Sequence, residues 1–207
     1  MSGLRDRKKA DRNRRILEAA GELFREIGFE GARLEDIAAR ADVGVGTAYN
    51  YFSTKGEILL AITALEVENV MRMAEIELRK PISDVTTALE RLVAAYFDHS
   101  LVYLTKAMWR SAIALSIQQP TTTFGQRYDA LDLRLSKQVL MVLQSLQRSG
   151  LIAERVDIQP MSEIIFNNIN SMFTAFVKHD DLDIDAAKKI LTRQHAPIVD
   201  FLSAPRL

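Results

Sequence analysis

Residues 34–58, LEDIAARADVGVGTAYNYFSTKGEI, decide the fold. Leu34, Ile37, Ala38 and Ala41 recur at i, i+3, i+4 and i+7, one apolar face of a short helix. Asp42 follows, and Asp tolerates the left-handed backbone that a sharp helix–helix turn needs. Val43 is placed to pin that turn to a core. Gly44 is an acceptable N-cap, and Val45, Ala48 and Phe52 give a second helix its apolar face. Thr47, Asn50 and Tyr51 lie opposite, with Gly46 and Tyr49 at the edges. A bracing helix, a tight turn and a second helix with a small, polar and aromatic outer face make a helix-turn-helix. Its second helix is the one that enters a major groove.

A third helix starts at once. Thr54 caps it and Glu57, three residues on, reaches back, a capping box. Lys55 sits in that first turn, where a cation opposes the helix dipole unless an anion is close. Alone it reads as a solvated lysine. Beside Tyr49 and Tyr51 it reads as a phosphate contact.

The run Gly46-Thr47-Ala48-Tyr49-Asn50-Tyr51-Phe52-Ser53-Thr54-Lys55 resembles the recognition-helix signature of the TetR family of bacterial transcriptional regulators, and the resemblance extends over residues 12–62. Two positions depart from the family pattern. Gly44 stands where the family often has a capping Ser, and Arg33 where it often has Thr or Ser. Arg cannot cap, but it can bond a phosphate directly.

The resemblance implies a division of labour. It places Val45 and Gly46 at the bases, although the helical wheel alone turns Val45 inward. A Val methyl can touch a thymine methyl, and a Gly lets the backbone approach. Thr47 can bond base or phosphate, and Asn50 shares the outer face. Tyr49, Tyr51 and Lys55 are expected on phosphates, where they set register. Arg33 and Glu35, at the start of the bracing helix, are lesser candidates.

Composition sets the frame. The chain has 207 residues, no cysteine, nine glycines and five prolines. Apolar residues at helical spacing run almost throughout, which predicts an all-α protein. Without cysteine there is no disulfide, thiolate metal site or Cys nucleophile. The opening MSGLRDRKKADR has no apolar core of a secretory signal, and no apolar run approaches the ~18 residues of a membrane span. A soluble, cytoplasmic protein is expected, without membrane contact. Net charge is zero, yet residues 1–15 carry seven bases against two acids, net +5, which leaves net −5 for the rest. A basic arm on an acidic chain suits a nucleic-acid binder. The arm, with Arg5, Arg7, Lys8 and Lys9, is expected to precede the first helix as a disordered tail.

Helical spacing predicts helices over 11–27, ended by Gly28, and over 54–80, stopped by Pro81. Further helices are expected over 83–103, 105–118, 122–148 and 160–178, with a last one capped by Asp183 and kinked at Pro197. The expected domains are 1–53, the basic arm and helix-turn-helix, and 54–207, a connecting helix followed by an effector-binding and dimerisation domain.

By resemblance, residues 160–202 form a homodimer interface and the second domain holds a small effector. Candidate lining residues are Tyr96, His99, Tyr103, Met108, Trp109, Phe124, Tyr128 and Phe173. Aromatic and Met side chains with a few polar tips line ligand pockets, and they also build helical cores. His99, His179 and His195 have no ligand spacing with one another. No catalytic constellation, metal site or cofactor motif emerges, so an enzyme is not expected. The expected function is a sequence-specific regulator, a repressor released from a palindromic operator by an effector. The alternative is a ligand-independent architectural DNA-binding protein on the same fold.

Overall fold

The computed structural model describes residues 3–203; residues 1, 2 and 204–207, the outer ends of the two expected domains, lie outside it, as do the side chains of Leu4 and Arg5. The described residues form nine α-helices: α1 (Leu4–Gly31), α2 (Leu34–Arg40), α3 (Val45–Tyr51), α4 (Lys55–Leu78), α5 (Val85–Asp98), α6 (Lys106–Gln118), α7 (Thr123–Arg148), α8 (Ile158–Lys178) and α9 (Ile184–Leu202). Extended pairing among them is limited to one antiparallel bridge between Ile152 and Ser203. The all-α reading therefore holds.

Two expected boundaries need correction. α1 begins at Leu4, not residue 11, so Arg7, Lys8 and Lys9 stand on its first turns and are not a disordered tail. Lys and Arg are good helix formers, and the Asp6 carboxylate accepts the Gly3 N–H at 3.2 Å, closing the orphaned first turn. The helix expected over 83–103 ends at Asp98, and residues 99–105 form an irregular connection. Elsewhere the punctuation works as the residues demand. Asp84, Thr105 and Asp183 each cap a helix by accepting a backbone N–H. Pro197 lies inside α9.

The chain divides into two compact units. Unit 1 comprises residues 1–66 and 102–129, and unit 2 residues 67–101 and 130–207. In unit 1, α1 packs on α2 and α6, and α2 on α3. Its core includes Ile16, Phe24, Phe29, Ile37, Ala48 and Phe52. Each fully buried Ile or Phe is worth ~1.5–3 kcal/mol. Gly28 breaks α1 with φ 77° and ψ 162°, a conformation confined almost wholly to glycine. The break lets Phe29 turn back edge-on to Phe24, ring centroids 5.3 Å apart. In unit 2, α9 packs on α5 and α8. Phe97 anchors that core, 5.8 Å from Phe173 and 5.7 Å from Phe176 between ring centroids.

Candidate nucleic-acid interface

α2 and α3 are each only two turns long, so neither can hold its pose by helical propensity alone. Packing holds them instead. Leu34, Ile37 and Ala38 of α2 and Ala48 of α3 are buried, and Phe52 follows α3 into the core. The turn between them depends on Asp42, which adopts φ 50°, the left-handed geometry expected of an Asp there.

Arg15 of α1 fastens this turn. Its Nε and Nη2 donate to the Ala41 carbonyl at 3.0 and 2.6 Å, and Nη2 also donates to the Asp42 carbonyl. These carbonyls lie at the end of α2 and in the turn after it, and a planar guanidinium meets both with a rigid fork of donors that an ammonium lacks. Arg40 adds a second strap, donating to Glu26 of α1 at 2.7 Å. Sequence reading missed both. Arg15 looked like one more base of a tail, and its partners lie far along the chain.

The outer face of α3 carries the predicted residues. Val45 is 43 % exposed and Tyr49 46 % exposed, and Gly46 and Asn50 are exposed beside them. Val45 therefore leaves the inward face that the wheel assigned, and the buried face of α3 is Ala48 with Phe52 following. The reason is local: Val45 is the first helical residue, after an extended Gly44 (φ −63°, ψ 143°). Thr47 and Tyr51 are half-buried, and the Tyr51 hydroxyl donates to the Lys9 carbonyl at 3.2 Å. Arg33 is exposed, in extended backbone ahead of α2, and makes no side-chain cap.

Glu35 and Tyr49 meet. The Tyr49 hydroxyl donates to Glu35 Oε1 at 2.8 Å. The Glu35 backbone N–H and then this hydroxyl hold the Glu35 carboxyl below the usual range, and the same bond pushes the Tyr49 phenol up. Two candidates from different helices thus form one polar pair on the exposed surface.

Lys55 points back into the protein. Its ammonium donates to the Phe29 and Glu30 carbonyls at 2.8 and 2.9 Å and lies 4.6 Å from the Phe29 ring centroid. The capping box forms beside it with one shift: Thr54 accepts the Glu57 N–H at 3.1 Å, and Glu57 bonds the N–H of Ser53 at 2.7 Å.

The eight candidate effector residues divide between the units. Tyr103, Met108, Trp109, Phe124 and Tyr128 belong to unit 1, and Tyr96, His99 and Phe173 to unit 2. Met108 and Trp109 are buried, and Phe124 stacks on Tyr128 with centroids 6.3 Å apart. Tyr103 is exposed. Buried Tyr96 donates to Gln138 Oε1 at 2.7 Å, and Gln138 in turn donates to the Met71 carbonyl at 3.0 Å; burial pushes the Tyr96 phenol up. His99 ends α5 half-buried. Unit 2 also holds a cleft of about 320 Å³ between α4 and α7, lined by Leu78, Arg79, Ile82, Gln138, Met141 and Val142 among others. A smaller one of about 120 Å³ lies between α5 and α9, where His195 is buried beside Glu90 and Asp200. Among the described residues, no group of three or more His, Cys, Asp or Glu is placed to hold a metal ion. No helix of the described residues is long and apolar enough to cross a membrane.

Comparison with known proteins sets this geometry in context. The family model for bacterial regulatory proteins of the tetR family matches residues 16–62, from α1 into α4. The fatty acid metabolism regulator protein of Bacillus subtilis is 26 % identical over 183 residues, 84 % of this chain and 88 % of that protein. The transcriptional repressor KstR of Rhodococcus jostii is 34 % identical over 102 residues, 49 % of this chain and 47 % of that one. The chain thus spans most of the first relative and about half of the second. Among solved structures, a TetR-family regulator from Mesorhizobium loti superposes with a TM-score of 0.73 at 18 % identity, over 94 % of this chain and 98 % of the other. FadR of Thermus thermophilus, a repressor solved with lauroyl-CoA, superposes at 0.71 with 19 % identity, over 94 % and 98 %. At such identities the superpositions speak for the fold.

Proposed function

We propose that the chain is a regulator of the TetR family, whose model matches residues 16–62, and that it acts as a homodimeric repressor that an effector releases from a palindromic operator. The observation that carries this reading is the α3 face: Val45, Gly46, Tyr49 and Asn50 stand exposed on a helix whose preceding turn and bracing helix are fastened to α1 through Arg15 and Arg40. Val45, Gly46 and Thr47 meet base edges. Tyr49, Tyr51 and Lys55 meet phosphates, with Asn50, Arg33 and Glu35 at the margin. Lys55 spends two donors on the Phe29 and Glu30 carbonyls and lies 3.6 Å from the exposed Glu30 carboxylate, so a phosphate reaching it competes with Glu30 for the third donor.

The domain assignment follows the same reading: 1–53 binds DNA, and 54–207 connects, dimerises and takes the effector. Dimerisation through residues 160–202 is supported by apolar side chains left outside on α8 and α9. Ile164 is 47 % exposed and Phe201 54 %. The eight aromatic, Met and His candidates remain the proposed effector lining. The Bacillus subtilis relative, named for the regulation of fatty acid metabolism, makes fatty acids and their derivatives the first compounds to screen. Such a regulator acts in the cytoplasm, where the genome is. A ligand-independent architectural protein is not favoured, because the relatives are named repressors and regulators.

Selection from a randomised duplex library, followed by footprinting, tests the proposal. Two half-sites about one helical turn apart, ~34–36 Å, are expected. Protection of one asymmetric half-site by a single chain would refute the dimer, and failure to select any sequence would refute specific DNA binding.

A further inference from the structure

Glu66 lies in the middle of α4 on the stripe Ile62, Glu66, Val70, and its neighbours on that stripe are buried. An acid in such a row costs several kcal/mol unless it is paired or bonded. Glu66 is 0 % exposed, and its carboxylate is fully engaged. It accepts the backbone N–H groups of Val102 at 3.1 Å, Tyr103 at 2.5 Å and Leu104 at 2.7 Å. Burial raises its pKa, against the three N–H groups and the nearby Arg25, which oppose the rise.

The place of this contact is informative. The chain leaves unit 1 after Glu66 and re-enters it at Val102. The carboxylate therefore ties the exit point to the re-entry point within unit 1. The re-entry segment has a second partner: Arg25 of α1 donates from Nη2 to the Tyr103 carbonyl at 2.8 Å. α1 is also the helix whose Arg15 holds the turn of the helix-turn-helix. One peptide segment thus has its N–H groups held by α4 and a carbonyl held by α1.

We infer that Glu66 is a positioning residue for DNA binding: it sets residues 102–104 so that Tyr103 grips Arg25 and fixes the pose of α1, and with it the presentation of α3. The inference rests on the DNA-binding reading above. Glu66 touches no DNA in this scheme. It acts through a segment of three residues that the helix-turn-helix motif does not include.

The test compares wild type, E66Q, R25A and the double variant on a duplex selected by the wild-type chain. Operator affinity is read by fluorescence anisotropy, with the assembly state and melting temperature measured in parallel. Gln keeps the shape of Glu but turns an NH₂ toward backbone N–H groups, so E66Q faces the segment with donors. Each single change is expected to weaken binding about tenfold, with the assembly state unchanged. The double variant is expected to bind no worse than about twofold below the weaker single, because the two residues act in one series. Amide exchange at 102–104 should quicken in E66Q and not in variants of the exposed α3 face.

A purely structural Glu66 gives a different pattern. E66Q would then melt earlier yet bind with wild-type affinity while folded, and R25A would bind normally; either result overturns the inference. Should E66Q fail to fold, the exposed R25A decides alone, since normal affinity there breaks the series. A wild-type chain that selects no duplex overturns the DNA-binding reading, and the inference falls with it. Binding by wild type beside undiminished R25A overturns the inference only.

Discussion

Arg15→Ala removes the clamp on the helix-turn-helix turn. The side chain supplies bonds to the Ala41 and Asp42 carbonyls from one guanidinium. A hydrogen bond from a charged group is worth about 1.5–3 kcal/mol when buried. Arg15 is about one-third exposed, so water replaces part of the loss and ~1–2 kcal/mol is the expected net cost. That cost falls on the α2–α3 turn, not evenly on the fold. Native-state amide exchange reads it directly. Exchange through local opening in α2 and α3 should accelerate by a factor of about 5–30, while the α5 and α9 amides hold their rates. Arg15→Lys restores the charge but not the rigid planar fork or its reach, and should fall between. Operator affinity should drop with unchanged base preference. Uniform acceleration across both units, or none in α3, would refute the idea that Arg15 serves the turn.

Further outcomes are specific. Tyr49→Phe should weaken matched and mismatched duplexes alike, whereas Val45→Ala should change base preference; equal loss of discrimination from both contradicts the division of labour on α3. Replacing Lys8 and Lys9 by Gln leaves α1 helical, and in a dimer should flatten the dependence of log affinity on log salt by roughly 2–4; identical slopes would make these bases spectators. His195 is buried beside Glu90 and Asp200, and burial lowers its pKa from 6.5. The unfolded chain therefore takes up a proton first as pH falls, so stability is full above 6.5 and drops below it, by at most ~1.4 kcal/mol per pH unit. His195→Gln should remove that slope in urea titrations run on either side of pH 6.5, and an unchanged slope would assign it to other groups.

Local chemistry was the legible part. Asp42 was readable as a left-handed turn residue, Asp183 as a cap, and Gly28 as a break, because each rule involves neighbours in sequence. Exposure of Val45 was not legible from periodicity, since a two-turn helix gives a wheel too few points. Periodicity starts α1 too late because residues 4–10 lack an apolar repeat, although Lys and Arg propensity there favours helix. The Arg15 clamp and the Glu66 contact lay beyond sequence reading, since their partners are set by tertiary packing. Glu66 did leave a trace. An acid in register with Ile62 and Val70 on a core stripe is a signal that its carboxylate has an appointed partner.

The discontinuity of unit 1 has a consequence for how the protein is made. Residues 3–66 emerge from a ribosome well before Val102–Asp129. Until α6 is synthesised, α1 lacks a helix that it packs on in the finished structure, and Glu66 has no amides to accept. The helix-turn-helix can pack against α1 early, but the contacts of α1 with α6 and of Glu66 with residues 102–104 form only later in vectorial synthesis. Nascent chains halted before α6 should therefore be more protease-sensitive along α1 than the finished protein.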